Sequence, residues 1–456
     1  MSELPSGFGP DFSWGASTAS YQIEGAVHED GRGPSVWDTF CATPGKVKDG
    51  DTGEVACDHY HRWPEDVALM RDLGIDTYRF SIAWPRIQPT GSGQVNEAGL
   101  AFYDRLVDGL LEAGIRPCPT LFHWDTPQAL EDQGGWLSRE TAQRFAEYAG
   151  VVGERLADRV PMWATINEPS VVTLLGHAIG LHAPGRTLMF DALPVAHHLL
   201  LGHGLAVQAL RASGAQMVGI ASNHGPTWAA SDSEEDRAAA ALHDDVLNWL
   251  FADPVLLGRY PETLVDLLPV QDGDLDVIRG PIDWFGLNHY APARVAAPGS
   301  PSLADGEAGG LTLGDDAPFR LVEIKDVERT DFGWPIVPDA FREILVTLKD
   351  RYGSALPPVF ITENGCSYAD GPGDDGRVHD DRRIAFLDGS LRALQQAREE
   401  GVDVRGYFTW SLLDNFEWAE GYSQRFGLVH VDYETLVRTP KDSFAWYADV
   451  IRASRG

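Results

Sequence analysis

Two short runs of this chain end in the same way. Phe360-Ile361-Thr362-Glu363-Asn364-Gly365 is an apolar stretch closed by a carboxylate, an amide and a glycine. Pro161-Met162-Trp163-Ala164-Thr165-Ile166-Asn167-Glu168-Pro169 is another, closed by an amide, a carboxylate and a helix-stopping proline. A buried strand that delivers one ionisable side chain at its C-terminal tip has this appearance. Glu168 and Glu363 lie far apart in the chain, so they form a pair only if a large closed fold brings the two strand ends together. Such a pair can break an acetal. One carboxyl protonates the leaving oxygen, and the other attacks the anomeric carbon or activates water on the opposite face of the ring. Attack by the carboxylate itself calls for a separation of about 5–5.5 Å, and activation of water for about 6.5–9.5 Å. The two groups must also differ in protonation, one held near neutrality and one ionised.

Other polar residues share the position at the end of an apolar run. His123 follows Arg116 to Phe122, Asn288 and Tyr290 follow Ile282 to Leu287, and Trp410 closes Gly406 to Trp410. Taken singly, each has an ordinary reading as a cap, a turn residue or a satisfied core side chain. Together they mark one rim. Arg79, within Thr77 to Ile82, is a cation placed to hold one carboxylate ionised, or equally a structural ion-pair partner. Past the last of these runs comes Trp410-Ser411-Leu412-Leu413-Asp414-Asn415-Phe416-Glu417-Trp418. A core explains its leucines. Trp410, Glu417 and Trp418 together suit a platform for a pyranose ring with a carboxylate accepting hydroxyl hydrogen bonds.

The elements that must carry these residues alternate. Phe12 to Ala16, Thr77 to Ile82, Arg116 to Phe122, Met162 to Ile166, Val218 to Ala221, Ile282 to Leu287, Val359 to Thr362 and Gly406 to Trp410 read as strands. Between them, spacings of three and four predict helices. One carries Leu100, Tyr103, Leu106, Val107, Leu110 and Leu111 and stops at Gly114; others cover Arg144 to Leu156, Ala238 to Leu250, Phe341 to Leu348 and Ile384 to Arg398. Eight strand–helix units predict an α/β fold, a single (β/α)8 TIM barrel with long active-site loops, as one catalytic domain over residues 1–456. The alternative, an open doubly wound nucleotide-binding sheet, lacks its glycine-rich turn. Ala291 to Phe319 and Asp370 to Gly376 read as loops rising from the catalytic rim.

Bulk properties narrow the partners. The chain has 456 residues, 43% of them hydrophobic, enough for a large core. With 36 basic against 68 acidic residues its net charge is −32, which disfavours nucleic acid and anionic membranes as partners. The 14 tryptophans fit a protein that stacks flat apolar faces. Cys41, Cys57, Cys118 and Cys366 have no metal-site spacing, so no metal is expected, and reduced thiols in a cytoplasmic protein are. The first residues lack the pattern of a signal peptide, and no apolar run reaches membrane-spanning length.

The chain resembles glycoside hydrolase family 1, the β-glucosidase family. The resemblance rests on the two glutamate motifs and on four further stretches in order: Phe12 to Gly25, Tyr78 to Arg86, Leu121 to Asp125 and Trp410 to Trp418. It implies a retaining exo-β-glycosidase that removes terminal non-reducing β-D-glucosyl residues, with β-galactosides or β-fucosides as further substrates and no cofactor. Glu168 would be the acid/base and Glu363 the nucleophile, positioned by Arg79 and Tyr290. Gln22, His123, Trp124, Asn167, Asn288, Glu417, Trp418, Trp410, Tyr290, Trp334 and Phe426 would bind substrate. Transglycosylation on the same intermediate, or sugar binding without catalysis, are the competing readings. The chain departs from many members at two places, Asn288-His289-Tyr290 and Gly333-Trp334-Pro335. A glutamate at position 168 disfavours a thioglucosidase. The stretch Glu417 to Arg425 has no lysine and starts with a carboxylate, which disfavours a phosphorylated sugar.

Overall fold

The computed structural model describes residues 4–300 and 317–455. Eight parallel strands form a closed barrel in chain order. They are β1 (Ser13–Ser17), β2 (Thr77–Ser81), β3 (Arg116–Phe122), β4 (Met162–Asn167), β5 (Met217–Asn223), β6 (Trp284–Asn288), β7 (Val359–Glu363) and β8 (Val404–Trp410). All eight expected strands are present, and their ends move by only one or two residues. The main crossover helices are α1 (His59–Leu73), α2 (Glu97–Glu112), α3 (Arg139–Leu156), α4 (Leu193–Ala212), α5 (Leu250–Leu257), α6 (Pro338–Tyr352), α7 (Asp381–Glu399) and α8 (Asp442–Arg455).

Local sequence explains the helix limits. α2 buries Leu100, Tyr103, Leu106, Val107 and Leu110 on one face. It ends where Gly114 takes a left-handed φ of 76°, a conformation that costs glycine nothing. α3 starts at Ser138, whose hydroxyl accepts the Glu140 N–H at 3.3 Å.

β1 closes the barrel by pairing with β2 on one side and β8 on the other. α8 ties this seam from outside. Tyr447 donates its hydroxyl to the carbonyls of Gly15 at 3.0 Å and Tyr407 at 3.2 Å, and the Trp14 indole N–H reaches Ser454 Oγ at 2.8 Å. The lumen is filled, as in other such barrels. Cys118, Met162, Ala164, Trp284, Phe360 and Phe408 pack there as a cluster separate from the strand–helix core.

Two expected elements need correction. The helix expected over Ala238 to Leu250 is in three parts: Glu234–Asp244, a wide turn over Asp245–Trp249, and the start of α5. Ala291 to Phe319 is not all loop. Ala293–Ala296 is a strand between Thr227–Ala229 and Arg320–Leu321, and Val295 is buried with Phe319 and Leu321 against Ala239 and Ala240. Residues 301–316 of that stretch lie outside the described residues. Asp370 to Gly376 contains neither helix nor strand. All four cysteines are buried free thiols. Among the described residues no helix is long and apolar enough to cross a membrane.

Candidate active site

The two glutamates reach the same space because both strands break their alternation at the tip. On β4, Met162 and Ala164 face the lumen, while Thr165 points outward to His203 of α4 at 2.7 Å. Strict alternation would send Asn167 outward too. On β7, Phe360 faces the lumen and Ile361 the helices, so alternation would turn Glu363 away. The pairing register slips between Ala164 and Asn167, and again between Ile361 and Glu363. Each irregularity re-aims the following side chain into the barrel mouth. Glu168 follows with a left-handed φ of 47°, and Pro169 starts a short helix behind it.

Gly365 completes the β7 tip. A Cβ there would collide with the carbonyl of Trp410. The absent side chain lets the two strand ends touch, and the Trp410 N–H donates to Asn364 O at 2.9 Å. Gly365→Ala must push Trp410 away from Glu363. We expect kcat/KM to fall on the order of 10²-fold, with a stability loss of about 1–3 kcal/mol. Steady-state kinetics and urea unfolding measure the two effects; unchanged kinetics would show that this contact does not set the site geometry.

One hydrogen-bond network joins the carboxyls. Arg79, fully buried, donates to Glu363 Oε1 at 2.7 Å, to Asn167 Oδ1 at 2.6 Å, to Thr120 Oγ1 at 3.1 Å and to Thr362 O at 3.3 Å. Tyr290 donates its hydroxyl to Glu363 Oε2 at 2.6 Å. Asn288 Nδ2 donates to Glu168 Oε1 at 2.6 Å and to Asn167 Oδ1 at 3.0 Å. Thr362 fixes that amide by donating to Asn288 Oδ1 at 2.5 Å.

The environments of the two glutamates differ. Burial, and then the negative charge of Glu363, push Glu168 well above the usual carboxylate range, with Asn288 and Arg79 opposing. Burial also raises Glu363, but less far, because the Arg79 guanidinium and the Tyr290 hydroxyl favour its charged form. Of the pair, Glu168 is thus the one whose surroundings favour the proton more strongly, and Glu363 the one with donors that favour its charged form. Burial, and then the charge of Glu363, also push Glu417 up, to about 8.

A cavity of about 300 Å³ opens over this pair. His123, Trp124, Trp334, Trp410, Trp418, Tyr290, Phe426 and Glu417 line it with Glu168 and Glu363. His123 stacks between Trp410 at 5.9 Å and Trp418 at 5.8 Å, and Trp124 packs on Trp418 at 4.5 Å. Trp334 lies 4.9 Å from Tyr290 and 5.9 Å from Phe426. Gln22, Arg79, Asn167 and Asn288 stand behind the wall, each 0% exposed. Trp124 and Trp418 join Glu168 in having positive φ, 76° and 51°. Such conformations cost about 1–3 kcal/mol each and gather where a site over-determines the backbone.

Several polar atoms here have their roles fixed by elimination. Asn167 Oδ1 already accepts from Arg79 and Asn288, so its amide nitrogen faces His123 Nε2 at 3.0 Å. Burial, then Arg79, hold the imidazole well below its usual range. It is neutral, its Nε2 accepts, and its Nδ1 carries the hydrogen with no protein partner. Gln22 Nε2 donates to Phe416 O at 2.8 Å, Asn415 Oδ1 at 3.0 Å and Glu417 Oε2 at 3.2 Å. Gln22 Oε1 is buried without a partner. Trp124 gives its indole N–H to Asn167 O at 2.9 Å, which leaves its ring for the cavity.

Neither family departure disrupts the pair. His289 faces outward, stacked on Phe341 at 5.1 Å with Nδ1 on His224 O at 2.9 Å. Pro335 pairs with Arg329 across a turn that presents Trp334. Sequence reasoning missed Leu174, Leu175, Leu181, His182, Leu247 and Phe332, all of which line the cavity from segments beyond the strand tips. It also missed Asn223, although that residue ends β5 and carries the same strand-end signal. Among the described residues no cluster of His, Cys, Asp and Glu could hold a metal ion.

Two carboxyls with unlike surroundings at one barrel rim, under an aromatic cavity lined by buried polar atoms that have no protein partner, are what cleavage of a glycosidic bond requires. The class so defined is the (β/α)8 glycoside hydrolases. The chain belongs to glycosyl hydrolase family 1, whose family model matches residues 4–455. It is 45% identical to beta-glucosidase A of Acetivibrio thermocellus over 453 residues, covering 98% of each chain. It is 46% identical to a bifunctional beta-D-glucosidase/beta-D-fucosidase of Bifidobacterium breve over 457 residues, covering 96% of this chain and 97% of that one. The solved beta-glucosidase of Thermotoga maritima in complex with glucoimidazole superposes with a TM-score of 0.91 at 45% identity, covering 99% of both chains.

Proposed function

We propose that Glu363 is the nucleophile and Glu168 the acid/base of a retaining exo-β-glycosidase that removes β-D-glucosyl residues. One observation carries the assignment. Both oxygens of Glu363 are held by donors, Arg79 and Tyr290, while Glu168 has a single neutral donor, Asn288. In the first step Glu168 gives its proton to the glycosidic oxygen as Glu363 attacks the anomeric carbon. The carbon–oxygen bond to the leaving group breaks and an ester to Glu363 forms. In the second, Glu168 takes a proton from water, the water oxygen bonds to that carbon, and the ester breaks to return the Glu363 carboxylate.

The sugar-binding roles follow from the cavity. Gln22 Oε1 and Glu417 would accept hydroxyl protons, and His123 Nδ1 would donate to a hydroxyl oxygen. Trp410 and Trp418 would supply flat faces for the ring, and Asn167 would meet the 2-hydroxyl. Trp124, Asn288, Tyr290, Trp334 and Phe426 would shape the remaining walls. Several buried hydroxyl partners at one stacked aromatic wall suit a terminal residue, whose hydroxyls are all free. The relative named for both glucosides and fucosides supports a tolerance for β-fucosides. Residues 1–456 would act as one catalytic domain, and four buried thiols fit the cytoplasm as its location.

Proton NMR of an aryl β-glucoside digest tests the reading. The first sugar released should be the β-anomer, with the α-anomer growing in only by mutarotation. An α-anomer formed first would overturn retention, and no turnover would overturn the activity.

A further inference from the structure

Beside the sugar cavity lies a second chamber of about 170 Å³. The two share Ala291 and Trp334. Trp334 packs 4.9 Å from Tyr290, whose hydroxyl holds Glu363. A leaving group one ring in size would therefore run from the reacting bond past Trp334 into this chamber. Its walls include Ile324 and Pro335, which are apolar, and Arg294 and Arg329, which are not.

Among the described residues neither arginine is closely neutralised. Arg329 is anchored by carbonyls, with Nη1 on Gly333 O at 2.8 Å and Nη2 on Ile324 O at 3.2 Å. Its ion-pair partner, Glu323, is 4.0 Å away and its side chain is 53% exposed. Arg294 donates to Ala230 O at 2.7 Å, and among the described residues it makes no ion pair. Asp236 feels its charge, but that carboxylate already accepts from Ser231 Oγ at 2.6 Å and from the Ala297 N–H at 2.8 Å. In a chain of net charge −32, two guanidiniums facing one apolar chamber make a local reversal of sign. A dry cavity of about 150 Å³ holds benzene, so this chamber has room for one aromatic ring. A carboxylate on that ring would meet the guanidiniums in a charge-assisted geometry.

The geometry points to a leaving-group subsite that selects β-glycosides with a carboxylated aromatic aglycone, with Arg329 and Arg294 as specificity-determining residues. This rests on the glycosidase reading above. Three substrates test it: 4-carboxyphenyl β-glucoside, its methyl ester and phenyl β-glucoside. Each is assayed with the parent enzyme, Arg294→Gln, Arg329→Gln and the double variant. The carboxylate-to-ester ratio of kcat/KM should fall about tenfold or more in the double variant. It should fall through KM, and in the parent it should shrink as salt is added. Differences in leaving-group electronics cancel when each variant is divided by the parent. Arg329 also braces the turn under Trp334, so Arg294→Gln, which leaves that turn alone, should lower the ratio by itself. Phenyl β-glucoside kinetics should stay at the parent level in Arg294→Gln, which shows that the catalytic pair is intact. A ratio that moves less than about twofold in the double variant would overturn the subsite. Loss of parent activity on all three substrates would instead sink the glycosidase reading, and the subsite with it.

Discussion

Glu363→Ala should lower kcat on aryl β-glucosides on the order of 10⁴- to 10⁶-fold while the barrel stays folded. At 1.36 kcal/mol per decade that is about 5–8 kcal/mol of barrier, the largest effect expected from any single side chain here. The fold survives because Arg79 does not depend on Glu363 alone. It keeps Asn167 Oδ1, Thr120 Oγ1 and Thr362 O as acceptors. The loss should thus stay below the about 3–5 kcal/mol typical of a fully orphaned buried charge, which urea unfolding will read. The variant also leaves room on the face of the sugar that Glu363 attacks. Azide can enter there, and with Glu168 still protonating the leaving group it should yield the α-glucosyl azide. Activity within about tenfold of the parent would remove Glu363 from the nucleophile role, as would a β-azide product.

The strand tips were the legible part of this chain. An apolar run ending in a polar or aromatic residue marked β3, β4, β6, β7 and β8, and the rim those tips share carries His123, Glu168, Tyr290, Glu363 and Trp410, with Arg79 of β2 behind it. What escaped was the mechanism of aim. Parity read from β4 and β7 would have turned Asn167 and Glu363 out toward the helices, and the two register slips that correct this leave no compositional trace. The reason for the glycine in Glu363-Asn364-Gly365 was equally hidden. It answers to the Trp410 carbonyl on a neighbouring strand, not to a turn of its own. Cavity walls from Leu174, Leu175 and His182 were invisible because they come from the insertion between β4 and α4, where no periodicity points inward. His289 shows the converse. Its position between two rim residues left its role open, and the side chain packs on α6, where burial pushes its pKa down to about 4.

Glu168→Ala should divide substrates by how much their leaving group needs a proton. General acid catalysis contributes about 10²–10⁴-fold, so alkyl glucosides and glucose disaccharides should lose on that order. A dinitrophenyl glucoside, whose phenolate leaves unaided, should form the glycosyl-enzyme nearly as fast as in the parent. Its steady state should still be slow, because water now lacks a base, and stopped-flow should show a burst as the ester on Glu363 accumulates. The pH profile carries the same information. Burial and the charge of Glu363 raise Glu168, so the parent keeps its acid protonated until pH climbs through that raised value, and kcat/KM falls there. The variant should lose this alkaline limb on the activated substrate. Equal losses across leaving groups, or an unchanged limb, would take the acid role from Glu168. Azide then separates the two glutamates in one experiment. It brings no proton that must be removed, so it should rescue the second step in Glu168→Ala and attack the ester from the face opposite Glu363. The product there is the β-glucosyl azide, whereas Glu363→Ala gives the α-anomer. Opposite anomers from two single substitutions require that the carboxyls act from opposite faces of the same anomeric carbon.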